Sequence, residues 1–200
     1  MNSSNRHIYI LFNKPYNVLS QFTRDENHVS LADFGPFPKN IYPVGRLDAD
    51  SEGLLLLTND HAVNHRLTEP KFEHPRTYWV QVEGIPDEVA LNKLRNGVVI
   101  EQKKTKPAEV KLLEKEPDLP PRSVPIRVRK TIPTSWIELT LREGRNRQVR
   151  KMTAAVGYPT LRLVRVGILF LTLDGLQPGK HRMLTEKEIS KLYYILRISL

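Results

Sequence analysis

The sequence contains no cysteine. That excludes disulfides, thiolate metal sites and cysteine nucleophiles, and it suits a reducing cytosol. No apolar run approaches the ~18 residues of a membrane span. "VGILFLTL" (166–173) is only strand-length. The apolar part of "MNSSNRHIYILF" is too short for a signal peptide. There is no low-complexity tract and no repeat of fixed period, and two tryptophans argue against disorder. These absences point to a soluble cytoplasmic protein with no membrane partner. Its 200 residues, 40% hydrophobic, suffice for one large domain or two small ones.

Positive charge is scarce in the first half and concentrated in the second. Residues 1–100 carry 10 Lys and Arg against 12 Asp and Glu, whereas residues 101–200 carry 21 against 10. A basic surface on one side attracts polyanions, nucleic acid before anionic membrane. The plainer reading is charge kept for solubility.

Patterning predicts an α+β protein with a mainly antiparallel mixed sheet and flanking helices. Strands are expected over 7–12, 54–58, 77–84, 108–115, 125–130, 135–142 and within 160–173. Helices are expected over 60–68 with Asp60 as N-cap, 86–97, 146–157 with Asn146 as N-cap, and 185–196 behind a Thr…Glu capping box. Residues 24–43 read as loop. The four prolines of 114–125 read as a long hairpin connection inside a single domain over 7–196, with 1–6 as a disordered tail.

Three stretches carry chemistry. "GRLDADSEGLLLLTND" (45–60) sets Arg46, Asp48, Asp50 and Glu52 before four leucines. Asp48, Asp50, Glu52 and Gly53 copy the start of a calcium loop, but Asn59 stands where the bidentate Glu should be. A magnesium site on Asp48 and Asp50 stays open, as does a solvated turn. On an extended chain Arg46 and Asp48 project from the same side, and a buried leucine strand behind them would fix both. Asp50 and Glu52 are read as turn residues.

"REGRNRQVRK" (142–151) sets five basic residues against one Glu at a turn and the start of a helix. Arg147, Arg150 and Lys151 share a side opposite Val149 and Met152. That is either a solvated face or a set of phosphate contacts, with one Arg turned inward to a carboxylate and Gln148 bonding a base or sugar. In "RTYWVQVEG" (76–84), Tyr78 and Trp79 point to opposite faces of a strand, one to the core and one toward a ligand.

Taken in order, these stretches resemble the pseudouridine synthases of the RsuA branch. "NKPYNVLSQ" (13–21) is similar to that branch's first motif, with Asn17 where Gly is usual. "YPVGRLDADSEGLLLLTND" (42–60) is similar to the catalytic motif almost throughout. "RTYWVQVEG" and "EGRNRQVRKMTAAVGYPTLRLVRVGI" (143–168) are similar to the remaining two. With about six residues before the first strand, the branch's usual N-terminal S4 domain is expected to be absent and RNA affinity to come from the catalytic domain itself.

The resemblance implies the pseudouridine synthase catalytic fold and isomerisation of a uridine in large-subunit (23S) ribosomal RNA, free or in an assembly intermediate, by a monomer. It implies Asp48 as nucleophile, attacking the sugar C1′ or the base C6. Tyr78 would pack on the target base, and Arg150 would pair with Asp48. Arg46 would fill the place of the flipped nucleotide. Leu47, Arg145, Arg147, Gln148, Lys151 and Arg165 would bind substrate. No metal and no cofactor are implied, since the reaction is an isomerisation. The rival readings are a non-catalytic RNA-binding protein and a metal-dependent phosphotransferase.

Overall fold

The computed structural model describes residues 7–126, 129 and 131–198. The chain divides into two compact units, residues 1–72 with 173–200, and residues 73–172. The first unit holds β1 (Tyr9–Lys14), β2 (Val18–Leu19), β3 (Val29–Ser30), β4 (Tyr42–Pro43), β5 (Glu52–Thr58) and α1 (His61–Thr68). The second holds β6 (Arg76–Glu83), α2 (Glu88–Asn96), β7 (Val99–Ile100), β8 (Lys103–Lys104), β9 (Glu109–Leu112), β10 (Thr134–Leu141), α3 (Gln148–Ala155), β11 (Thr160–Ile168) and β12 (Leu171–Thr172). The chain then returns to the first unit with β13 (His181–Met183) and α4 (Glu186–Leu196).

In the first unit β13, β1 and β5 lie side by side, all antiparallel, with β4 also on β5. All seven residues of β5 are buried, including its four leucines at 0% exposure. A strand covered on both faces reads as an unbroken apolar run, and each buried leucine is worth about 1.5–3 kcal/mol over exposure. Ile10, Phe12, Leu55 and Leu57 form one core with Val18, Leu31 and Ile41. Asp60 caps α1 through the N–H groups of Ala62 and Val63, at 2.9 and 3.1 Å. The Tyr9 and Tyr193 hydroxyls also reach Asp60 Oδ2, each at 2.6 Å, which ties β1 and α4 to the helix start. Burial alone would raise Asp60, but hydrogen bonds from Tyr193, Tyr9 and Val63 outweigh it and hold the carboxyl below its usual range.

In the second unit the order is β11–β6–β10–β9, again antiparallel, with β12 folded onto β11. Leu91 and Leu94 from α2 and Val149 and Met152 from α3 pack on Val80, Val82, Ile137, Leu139 and Leu163 of this sheet. The long hairpin expected between 108–115 and 135–142 is present, pairing Leu112 with Ile137. Of the strand expected over 125–130, Pro125, Ile126 and Arg129 are not in a strand, and Arg127, Val128 and Lys130 lie outside the described residues, as does the expected tail 1–6.

Helix α3 begins at Gln148, with Arg147 rather than Asn146 at the N-cap, one residue later than expected. Arg147 takes a left-handed conformation (φ 52°, ψ 32°) that makes the corner into the helix. The orphan amide before that corner is met by Gln148, whose Oε1 accepts from the Arg145 N–H at 3.0 Å.

Candidate active site

The loop between β4 and β5 carries the charged cluster. Gly45 enters it with φ 70°, a left-handed turn that suits glycine. From there exposure alternates: Arg46 is exposed, Leu47 is buried at 7%, and Asp48 is exposed. That is the alternation of an extended chain, and it puts the guanidinium and the carboxylate on the outward side of the backbone. The Ser51 N–H then bonds the Asp48 carbonyl at 3.0 Å and closes a turn into β5. Asp50 is half-buried. Glu52, expected in the turn, is instead the first residue of β5 and 6% exposed, drawn in with the buried strand it begins.

This loop is gripped from behind by residues 14–20. The buried Ser20 hydroxyl donates to the Leu47 carbonyl at 2.8 Å, and the Leu47 N–H donates back to Ser20 Oγ at 3.0 Å. The Asn17 N–H donates to the Ala49 carbonyl at 2.7 Å. Lys14 is fully buried at the end of β1, opposite Gly53. Its ammonium donates to the carbonyls of Val18 at 2.7 Å and Pro15 at 3.0 Å, and reaches that of Ala49 at 3.4 Å. Asn17, at the usual glycine position, has φ 61°, a region Asn tolerates better than other side chains. Lys14, Asn17 and Ser20 were missed as site residues by sequence reasoning. The usable signal was a lysine at the end of an apolar strand, where a buried ammonium must find carbonyls or destabilise the fold.

In the second unit Tyr78 on β6 is half-buried against the core, and its cross-strand neighbour on β11 is Arg165. Arg165 is 3% exposed, and its guanidinium and the Tyr78 hydroxyl are hydrogen-bonded. Burial pushes the Arg165 pKa down, while Tyr78 opposes the shift. Trp79, on the other side of the strand, donates from its indole to Glu138 at 2.9 Å.

The basic segment is brought together around the start of α3, and much of it is engaged within the unit. The Arg145 guanidinium donates to the carbonyls of Lys103 and Lys104 at 3.1 and 2.6 Å, clasping the β7–β8 hairpin. Lys151 pairs with Glu101 in that hairpin at 2.6 Å. Gln148 is 3% exposed, and its amide is occupied by Arg145 and by Glu143 at 2.7 Å. Arg147 is exposed at the corner and Arg150 is half-buried on the helix. Among the described residues, no group of three or more His, Asp or Glu is placed to hold a metal ion. No described helix is long and apolar enough to cross a membrane.

Comparison with known proteins covers most of the chain. A family model described as RNA pseudouridylate synthase matches residues 8–155. Ribosomal large subunit pseudouridine synthase E of Xanthomonas axonopodis pv. citri (strain 306) is 56% identical over 171 residues, covering 84% of this chain and 90% of that one. Ribosomal large subunit pseudouridine synthase B of Bacillus subtilis (strain 168) is 42% identical over 186 residues, covering 92% of this chain and 71% of that one. A crystal structure of a pseudouridylate synthase superposes with a TM-score of 0.79 at 29% identity, over 96% of this chain and 76% of that one. An extended Arg-Leu-Asp loop fixed before a buried strand, on a chain matched to this extent, makes the protein a member of the RNA pseudouridylate synthase family.

Proposed function

We propose that this enzyme isomerises a uridine of large-subunit ribosomal RNA to pseudouridine, acting as a monomer, with the two units serving as one catalytic domain over residues 7–196. The matched family model spans residues of both units, and relatives more than half identical over 171 aligned residues carry large-subunit names. In the reaction the bond between N1 and C1′ breaks, a bond between C5 and C1′ forms, and the C5 proton is lost as N1 gains one. Product and substrate are isomers, so no redox or energy source enters.

Asp48 is assigned as the nucleophile, attacking either C1′ or C6, and Arg150 as the cation that pairs with it. Tyr78 is assigned to the target base, and Arg165, its cross-strand neighbour, to substrate binding through its hold on the Tyr78 hydroxyl. Flipping a uridine from its stack costs a few kcal/mol, which Arg46 offsets by occupying the gap. Leu47 sets the spacing between those two side chains. Arg147 is assigned to phosphates. Arg145, Gln148 and Lys151 serve substrate by shaping the loop that presents it.

The observation that carries this reading is the joint outward display of Arg46 and Asp48 on a loop whose backbone is bonded on both sides of Leu47. Asp48→Asn keeps the shape of the side chain and removes the nucleophile. It should abolish pseudouridine formation on a large-subunit RNA transcript while RNA affinity stays near wild type. A variant that still converts uridine at the wild-type rate would refute the assignment. Equal loss of binding and turnover would favour an RNA-binding protein without catalysis.

A further inference from the structure

A cavity of about 740 Å³ opens in the first unit beside the site loop, and Arg46 forms part of its wall. Asp48 does not line it, so it is not the place of the nucleophile. Its size falls in the range of sites for whole small-molecule ligands, roughly 300–1,000 Å³. Its walls are aromatic rings and prolines: Phe22, Phe37 and Tyr42 with Pro36, Pro38 and Pro43. The charged residues lining it are Lys39 and Arg46, both cationic, with no Asp or Glu among the lining residues.

The rings differ in freedom. Phe37 is wedged among Phe12, Phe22 and His181, with centroids 6.1, 5.5 and 4.8 Å away. Tyr42 is 51% exposed, and among the described residues no aromatic ring packs on it. Its backbone is paired with Thr58 of β5.

We infer that this cavity receives a second unpaired nucleobase of the RNA, from the nucleotide beside the target uridine. The inference rests on the function proposed above. A flat apolar wall with cations and no anions suits a ligand with a π face and an anionic backbone. Single-stranded RNA is recognised by splaying bases onto aromatic side chains, and extruding one base removes a stacking partner from its neighbour. Arg46 and Asp48 are two residues apart on an extended chain, a span of about 7 Å, so the cavity and the nucleophile can serve adjacent nucleotides. Arg46 then stands between the two bases, one side toward each. The cavity thereby contributes to choosing which uridine is extruded, because only a site with an unpaired neighbour fills both places.

The test uses the full chain and an in vitro transcript of large-subunit ribosomal RNA. Irradiation of the complex with short-wavelength ultraviolet, followed by trypsin, should leave nucleotide adducts on the peptide 40–46, which contains Tyr42 and ends at Arg46. Tyr42→Ala should lose the adduct and weaken binding roughly ten- to hundred-fold, the range for one base–aromatic stack. Tyr42→Leu, which keeps side-chain bulk at the strand, should do the same. Tyr42→Phe should restore affinity. Tyr194→Ala, removing a tyrosine 86% exposed on α4, should change nothing. If the wild type converts uridine but peptide 40–46 carries no adduct and Tyr42→Leu binds normally, the cavity inference falls alone. If Tyr42→Leu instead abolishes self-association, the occupant is a second copy and the inference is likewise overturned. If the wild type converts no uridine, the proposed function fails and takes the cavity with it.

Discussion

Replacing Ser20 by Ala separates the holding of the site loop from its chemistry. Ser20 Oγ is buried and makes two hydrogen bonds to one residue, donating to the Leu47 carbonyl and accepting from the Leu47 N–H. Alanine leaves both backbone groups without that partner at a residue only 7% exposed. Each stranded group costs about 1–3 kcal/mol, so the variant should lose about 2–6 kcal/mol of stability. For a chain of this size that lowers the midpoint of thermal unfolding by roughly 4–24 °C. Both tryptophans, Trp79 and Trp136, lie in the second unit, so tryptophan fluorescence would miss a local effect. Amide hydrogen exchange resolved to residues 44–51 reads it directly, and protection there should fall more than in β1 or β5. Asp48 follows Leu47 in the chain, and a displacement of about 1 Å at a reacting group can cost 10²-fold in rate. Turnover measured well below the melting point should therefore drop by about 10- to 100-fold, mostly in kcat. A Ser20→Ala enzyme with wild-type exchange in 44–51 and wild-type kcat would refute the claim that this clamp positions the nucleophile.

Two further perturbations probe the frame around the site. Glu188 caps α4 through Thr185 and receives Arg182 Nη1 and Nη2 at 2.8 and 2.7 Å, and that guanidinium draws its pKa down to about 2 from the usual 4.5. A depressed carboxylate stabilises the fold fully above the unfolded pKa and loses that contribution as pH falls through the folded one. Glu188→Gln should cost about 1–2 kcal/mol at pH 7, below the linkage ceiling because Arg182 is 40% exposed, and almost nothing near pH 2, as read by urea unfolding at a series of pH values. Gly97 ends α2 with φ 84°, and a Cβ there would lie 2.3 Å from the Thr105 carbonyl oxygen. Gly97→Ala should therefore destabilise the second unit by about 2–4 kcal/mol, and here the tryptophan signal is the appropriate probe.

The main elements were legible because their signals are local. Asp60 and Thr185 announce α1 and α4 as N-caps, and the four leucines announce β5. What escaped depends on distant partners or on unusual turn chemistry. The β7–β8 hairpin turns through Glu101 and Gln102, with φ of 48° and 62°. Such a turn is normally advertised by Asn-Gly or Gly, so this pair gives no warning. Strand β13 is three residues long with two of them exposed, and only β1, about 170 residues earlier, makes it a strand. The division into two units was also illegible. The chain leaves the first unit after Phe72 and returns at Leu173; Pro70 and Pro75 flank the first crossing and Gly175, Pro178 and Gly179 follow the second, but such short punctuation also ends ordinary elements and does not by itself mark a boundary.

The same contrast runs through the candidate site. Arg46, Asp48 and Tyr78 could be singled out because charged and aromatic side chains have few reasons to stand where they do. The residues that hold them are ordinary polar ones, and their meaning depends on register. Gln148 illustrates the cost: beside four arginines it reads as a contact for RNA, but its amide is spent inside the loop that presents them. Asn17 shows the reverse. By composition it is a departure from the usual glycine, yet its backbone N–H must meet the Ala49 carbonyl at 2.7 Å from a left-handed conformation. Glycine and asparagine both reach that conformation cheaply, whereas a β-branched residue does so only under strain. The constraint at position 17 is therefore on φ rather than on side-chain chemistry. With Asp48 as the proposed nucleophile, the first motif would bear on the reaction through backbone carbonyls of the Asp48 loop, and changes there should alter rate while leaving every proposed reacting group in place.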